Sequence, residues 1–289
     1  MIKEAAIVLL IYQVGRQQLN CCEANIRKIL NVGACKLEKT MPSNRDKIDT
    51  AIMAIRAAPS LEILAHELAC MTMVLGFSYF SLMHHIHPGR WKRNTIALHN
   101  CPKEWAVIYA DKRLYANDPI LHACSQTNVG FIWDDLPTLI DMTERREKVL
   151  SLFRDAGVGS GVTIPAHVPG EPMGSCTFAT RLGQTFPVNN ILAAQLAGAF
   201  AFQAARRIVG LIRDDAAATR PLTPRQRDCL LWAMRGKTDS EIAQILGLSS
   251  ETVTQHMNMA RNRYGVAKRM QLAIRAIYLG DIGFDEAIH

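Results

Sequence analysis

Residues 222–256 read LTPRQRDCLLWAMRGKTDSEIAQILGLSSETVTQH, and the helix signals in this stretch are the densest in the chain. Thr223-Pro224-Arg225-Gln226 has the form of a capping box. The threonine hydroxyl can accept from the amide three residues on, the glutamine can reach back to the cap amide, and proline suits the first helical position. The spacing predicts a helix with Leu230, Leu231 and Met234 inward, stopped by Gly236. Thr238-Asp239-Ser240-Glu241 is a second capping box; it opens a short helix through Ile242, Ala243, Ile245 and Leu246 that Gly247 ends.

Ser249 then caps a third predicted helix, running to about Tyr264 with Val253, Met257, Ala260 and Tyr264 inward. Two helices joined by a short glycine-containing turn make a helix-turn-helix, with the helix from Ser250 as the reader. The opposite face of that helix carries Ser250, Glu251, Thr254, Gln255, Asn258, Arg261 and Asn262, short polar groups suited to donating and accepting at base edges. Arg261, Arg263, Lys268 and Arg269 are expected to meet phosphates, which supplies affinity and register rather than sequence discrimination. Lys237 and the amides after Thr238 are expected to meet another phosphate at a helix N-terminus.

The charge distribution agrees. The chain carries 33 Lys plus Arg against 26 Asp plus Glu, a net +7 over 289 residues. Ten of the basic and four of the acidic residues fall between 220 and 280, so +6 of that charge belongs to one segment and the rest of the chain is nearly neutral. A solvated basic face on a plain helical bundle would account for any one of these charges. Two capping boxes, the glycine turn, the polar reading face and the local charge together point to double-stranded DNA.

The whole stretch from Leu222 to His256 resembles the LuxR-type helix-turn-helix, with family hallmarks at Leu230, Gly236, Thr252, Val253 and His256. Two positions depart from the pattern. Gln226 stands for the usual glutamate and keeps the capping role without its charge. Met259 stands for the usual asparagine and removes one expected polar contact. His256, one turn from Val253, is read as a packed or phosphate-bonded histidine.

Upstream, 49% hydrophobic and 20% charged residues are an ordinary globular composition. Leu61, Leu64, Ala65 and Leu68 predict a helix capped by Ser60; residues 77–82, 130–133, 161–165 and 175–180 read as strands or short apolar runs. Residues 143–156 form an amphipathic segment, and a long apolar helix covers about 190–212. The expected fold class is α+β: an αβα-layered ligand-binding domain over 55–212, a linker at 213–221, and an all-α four-helix helix-turn-helix domain over 222–289. Residues 1–54 read as a poorly packed N-terminal extension, with Met41 or Met53 as candidate true starts. The apolar run Ala5–Val14 is too short to span a bilayer and makes a poor signal peptide. Eight scattered cysteines without a CxxC pair read as reduced thiols and give no zinc spacing. No cofactor or metal is expected; His84, His85 and His87 with Cys101 lack any established ligand spacing.

The order of acids and strands needed by a phosphoacceptor receiver is missing before residue 212. What stands there is Trp105, Tyr109, Asp118-Pro119 and Trp133, then Gly161–Pro165 and Gly174–Thr177. An amphiphile with a polar head and an acyl tail needs an apolar pocket with a few convergent polar groups. Trp105 offers an indole N–H, Asp118 an acceptor, Thr177 a hydroxyl and Tyr109 a phenol. Core packing or a simple turn is the competing reading for each residue alone.

Over about 75–212 the spacing resembles the autoinducer-binding domain of LuxR-type quorum-sensing regulators, which bind N-acyl homoserine lactones. The resemblance implies that Trp105 donates to the lactone carbonyl and Asp118 accepts the amide N–H, while Thr177 reaches the acyl carbonyl and Tyr109 and Trp133 wall the ligand. Cys101 stands where the family often has tyrosine, so a partner is lost or room is gained. The expected protein is a cytoplasmic, homodimeric, lactone-responsive transcriptional regulator with no membrane partner and with RNA polymerase as a further one. Its half-sites are expected one helical turn apart, and its candidate dimer surface is the helix bearing Ile191, Leu192, Leu196, Phe200, Phe202 and Ile208. The alternatives are a DNA-binding regulator whose N-domain senses another small molecule or works without ligand, and a lactone hydrolase. The hydrolase is disfavoured because no nucleophile stands with a spaced base and orienting acid.

Overall fold

The computed structural model describes residues 44–86, 94–102, 109, 114–169, 171–211 and 221–288. Trp105, His87, the front extension up to residue 43 and the linker over 213–220 lie outside them. The chain divides into two compact units, the first within residues 1–212 and the second within 213–289 together with Val168–Glu171.

The first unit is built on five antiparallel strands: β1 Tyr79–His84, β2 Ala97–His99, β3 Phe131–Ile132, β4 Val158–Ala166 and β5 Gly174–Arg181, in the order β2-β1-β5-β4-β3. The two-residue period of a strand sorts its side chains between the two faces. Phe80 and Leu82 of β1, Cys176 and Phe178 of β5, and Val162 and Ile164 of β4 point to one face and form its buried core. That face is covered by α1 Asn44–Ala57, α2 Leu61–Val74 and, after the short helices of the other layer, α6 Ile191–Ile208. The intervening helices include α3 Pro119–Cys124, α4 Leu136–Leu139 and α5 Glu144–Asp155, with 3-10 turns at Leu114–Ala116, Trp133–Asp135 and Val188–Asn190. Their apolar side chains, among them Ile120, Cys124, Leu136 and Val149, are buried, and α3 and α5 pack on β4. The result is the layered αβα arrangement.

The domain begins earlier than residue 55. Residues 44–54, assigned from sequence to the extension, are the first turns of α1, and Ile52 and Ile55 are buried against α2 and α6. A start at Met53 would remove most of that helix. The mixture of Asp, Lys, Arg and Thr around Ile48, Ile52 and Ile55 hid a one-sided apolar stripe that only its partners make recognisable. In α6 the buried face is Ala194, Ala197, Gly198, Ala201, Phe202, Ala204 and Ala205. The core side of this helix is therefore lined mainly by small residues, and of the large ones named from sequence only Phe202 is buried.

The second unit comprises α7 Pro224–Met234, α8 Asp239–Leu246, α9 Ser250–Tyr264, α10 Arg269–Leu279 and α11 Phe284–Ile288. Both predicted capping boxes are formed: Thr223 and Gln226 satisfy each other's amides at 3.3 and 3.1 Å, and Thr238 and Glu241 at 3.3 and 2.8 Å. Gln226 is buried, so the neutral amide caps where a carboxylate would have to be desolvated. Gly247 takes φ +65°, the left-handed conformation that turns α8 into α9. Val253, Met257, Ala260 and Tyr264 are buried as the periodicity required. The expected four helices are five, because α11 is clamped back: Glu286 receives Arg227 at 2.5 Å, and its carbonyl accepts from Arg235 at 3.0 Å.

Candidate functional site

Asp118 is the N-cap of α3, with Pro119 in the first helical position. Its Oδ1 accepts from the amides of Ile120 and Leu121 at 2.8 and 3.4 Å, and its Oδ2 accepts from the Tyr109 hydroxyl at 2.7 Å. The side chain is buried, which pushes its carboxyl pKa up; the Tyr109 hydrogen bond and the two amides pull the other way. Burial beside this carboxylate holds the Tyr109 phenol well above its ordinary range. The cap and the acceptor are thus one residue. A carboxylate offers about four lone-pair positions, so the three donors among the described residues leave about one for a further N–H. From sequence, the donor expected for this carboxylate is a ligand amide N–H, with Tyr109 as a wall of the ligand; the structure adds the Tyr109 phenol as a direct hydrogen-bond partner of Asp118.

A second group lies on the sheet face turned towards α3 to α5. The register sets Ser81 of β1 opposite Thr177 of β5 and Thr177 opposite Thr163 of β4. Thr177 and Thr163 hydroxyls are 2.9 Å apart, and the Trp133 indole N–H donates to Thr163 at 3.0 Å. Trp133 lies across Gly161, where a Cβ would come within 2.7 Å of its ring, and Phe153 packs on it at 5.3 Å between centroids. Glycine at 161 is therefore what lets the indole lie on the sheet. Thr163, fully buried, was not singled out from sequence; its signal was the i, i+2 spacing from Gly161 within a predicted strand.

Cys101 follows β2, with its thiol 3.8 Å from the Phe80 carbonyl; burial pushes its pKa up to about 12. His84 and His85 point to opposite faces of the sheet, His84 packing against Phe202 of α6 at 5.4 Å, so these neighbours cannot share a ligand.

On α9, Ser250, Glu251, Gln255 and Asn262 are exposed at the reading face. Thr254 is exposed too, but its hydroxyl donates to Asp239 at 2.8 Å, and Asp239 also receives Arg269 at 2.6 Å. Asp239 thus joins α8, α9 and α10, a role its place in the capping box did not announce. Arg261 is tied within its own helix end, donating to the Ala267 carbonyl at 2.8 Å and to Asn258. Arg263 lies off the reading face by the 100° step of the helix and donates to the Pro221 carbonyl at 3.1 Å. Lys237 stands 3.6 Å from Glu241, whose carboxylate already accepts from the Thr238 amide. The expected phosphate site at the start of α8 is thus partly filled by the chain's own anion. Lys268 is exposed ahead of α10.

A three-layer domain with a buried carboxylate acceptor and a hydroxyl pair on its sheet, in one chain with a capped helix-turn-helix and its exposed polar reader, is the arrangement of a ligand-responsive DNA-binding regulator. Residues 60–208 match the autoinducer binding domain, and residues 220–276 match the bacterial regulatory proteins of the luxR family. The chain is 26% identical over 220 residues to the transcriptional activator protein AhyR of Aeromonas hydrophila, covering 75% of this chain and 85% of that protein. It is 26% identical over 243 residues to the transcriptional activator protein LuxR of Aliivibrio fischeri, covering 83% and 96%. Among solved structures, SdiA of Escherichia coli shares the fold at a TM-score of 0.58 and 24% identity, covering 83% of this chain and 99% of SdiA. The chain belongs to the LuxR family of autoinducer-responsive transcriptional regulators.

Proposed function

We propose that the signal is an N-acyl homoserine lactone, held between the sheet and α3, and that its binding stabilises a homodimer that reads two half-sites of double-stranded DNA in the cytoplasm. The observation that carries this reading is Asp118: a buried carboxylate with three donors among the described residues and about one acceptor position left, capping the helix that packs on β4, the strand of Thr163. An amide N–H takes the remaining position, Thr177 serves the acyl carbonyl, and Trp133 and Tyr109 wall the chain. Trp105 donates to the lactone carbonyl, and the room at Cys101 admits a bulkier head or chain. Ser250, Glu251, Thr254, Gln255 and Asn258 meet base edges; Lys268 and Arg261 meet phosphates, with Lys237 and Arg263 at the margin. RNA polymerase is the further partner of the DNA-bound dimer.

Buried thiols support regulation rather than turnover: Cys101 and Cys124 are each pushed up to about 12, far from a nucleophilic thiolate at neutral pH. The test is mass spectrometry of small molecules extracted from protein expressed with a panel of acyl homoserine lactones. One lactone is expected to co-purify, and Asp118→Ala or Trp105→Phe should lose it while the isolated 215–289 fragment still binds DNA. An unchanged dose response in Asp118→Ala sinks the pocket assignment.

A further inference from the structure

Two residues beyond Met83 and four beyond Ser81, His85 continues the same side of β1, its amide donating to the Met173 carbonyl at 2.7 Å. Its Nε2 is 2.9 Å from the Ser175 hydroxyl. Ser175 also hydrogen-bonds the Cys124 thiol at the end of α3, and the Cys124 carbonyl lies 2.7 Å from His167 Nε2. These four residues form a second polar group on the face that carries Thr163 and Thr177. Along β5, Ser175 is one side-chain row beyond Thr177, a displacement of about 7 Å for two strand residues.

The two groups differ in how completely they are satisfied. Thr163 and Thr177 serve each other and the Trp133 indole. His85 Nδ1 is buried and has no hydrogen-bond partner among the described residues. Such an atom costs stability unless something answers it, and native interiors rarely leave one. Burial and the neighbouring His167 and His84 push the His85 pKa down to about 4, so the ring is neutral, with one nitrogen donating and the other accepting. Which nitrogen carries the proton depends on Ser175, itself able to donate or accept. A methylene answers Nδ1 in neither state and a ketone in only one. A hydroxyl answers it in both.

We propose that His85, oriented by Ser175, is a second polar subsite on the sheet and selects ligands bearing a hydroxyl part-way along an otherwise apolar chain. The subsite rests on the lactone reading above and adds to it a preference that Asp118 and Thr177 cannot express, since they meet the head and the first carbonyl. Ser175 lies a full row beyond Thr177, so the preferred hydroxyl stands farther down the chain than the position next to the acyl carbonyl.

The experiment titrates full-length protein with N-octanoyl homoserine lactone and with its monohydroxylated counterparts, the hydroxyl moved along the chain, reading thermal shift and ligand retention by mass spectrometry. One distal hydroxyl is expected to tighten binding about tenfold over the unsubstituted lactone, the worth of one net hydrogen bond. His85→Leu should abolish that preference while still binding the unsubstituted lactone, and His85→Gln should keep part of it. Equal binding of the whole series by the wild type, or a preference that survives His85→Leu, overturns the subsite alone. Binding of no lactone overturns the lactone reading and the subsite with it. The wild-type series decides even where a variant fails to fold.

Discussion

Gly161 shows how one missing side chain sets a site. Its Cβ would stand 2.7 Å from the Trp133 ring and 3.0 Å from the Phe178 carbonyl, so Gly161→Ala must displace the indole. We expect a loss of about 1–3 kcal/mol in urea unfolding and a weaker lactone response, as overpacking in a closed interior demands. Thr163→Val keeps the shape but strands the indole N–H; about 1–2 kcal/mol is expected there, with the same measurement. His85 makes a pH prediction. Its folded pKa, about 4, lies below the ordinary 6.5, so the unfolded state binds the extra proton first. Stability from keeping the ring neutral is therefore full above about 6.5 and falls as pH drops towards about 4. The urea midpoint should fall over that window, and less steeply in His85→Gln; an identical slope in the two proteins would show that the ring is not the titrating group.

At the scale of the element, the caps and the ties between helices pull apart. The capping boxes of α7 and α8 are local devices, legible because their partners are three residues apart. Thr238→Ala should cost about 1 kcal/mol in thermal unfolding of the 215–289 fragment. Asp239 is different, since its carboxylate holds Thr254 from α9 and Arg269 from α10. Asp239→Ala is expected to weaken DNA binding as well as stability, because the reader helix loses its tie to α8 while its own polar face is intact. Arg261 changes meaning in the same way: its bonds to Ala267 and Asn258 organise the end of α9, so a weakened gel shift in Arg261→Ala should come with a lower melting temperature. A weakened shift at unchanged stability would assign it to phosphate contact alone. Four of the five strands overlap the apolar runs read from sequence, whereas the three-residue β2 and α1 were not read, α1 because its apolar positions acquire meaning only against α2 and α6.

For the whole molecule, the apolar residues that α6 leaves outside are the informative ones. Leu192 and Leu196, one turn apart, are 77% and 55% exposed, and Val188 just before the helix is 65% exposed. We expect Leu192→Asp with Leu196→Asp to yield monomers by analytical ultracentrifugation and to abolish cooperative half-site binding, leaving the fold intact because neither residue serves the core. A stable dimer in that variant would move the interface elsewhere.

The order of two domains, the helix-turn-helix with its caps and buried stripe, and the concentration of positive charge between 220 and 280 were determined by the sequence alone, because each rests on neighbours three or four residues apart or on composition. Tyr109 and Asp118, nine residues apart, were both visible as candidates, yet their mutual hydrogen bond was not. The Trp133–Thr163–Thr177 chain, the His85–Ser175 pair and the reach of Asp239 across three helices depend on strand register and helix packing that join residues 14 to 90 positions apart. Only the tertiary structure decides such contacts, since the partner that satisfies a buried polar group is chosen by the fold and not by its place along the chain.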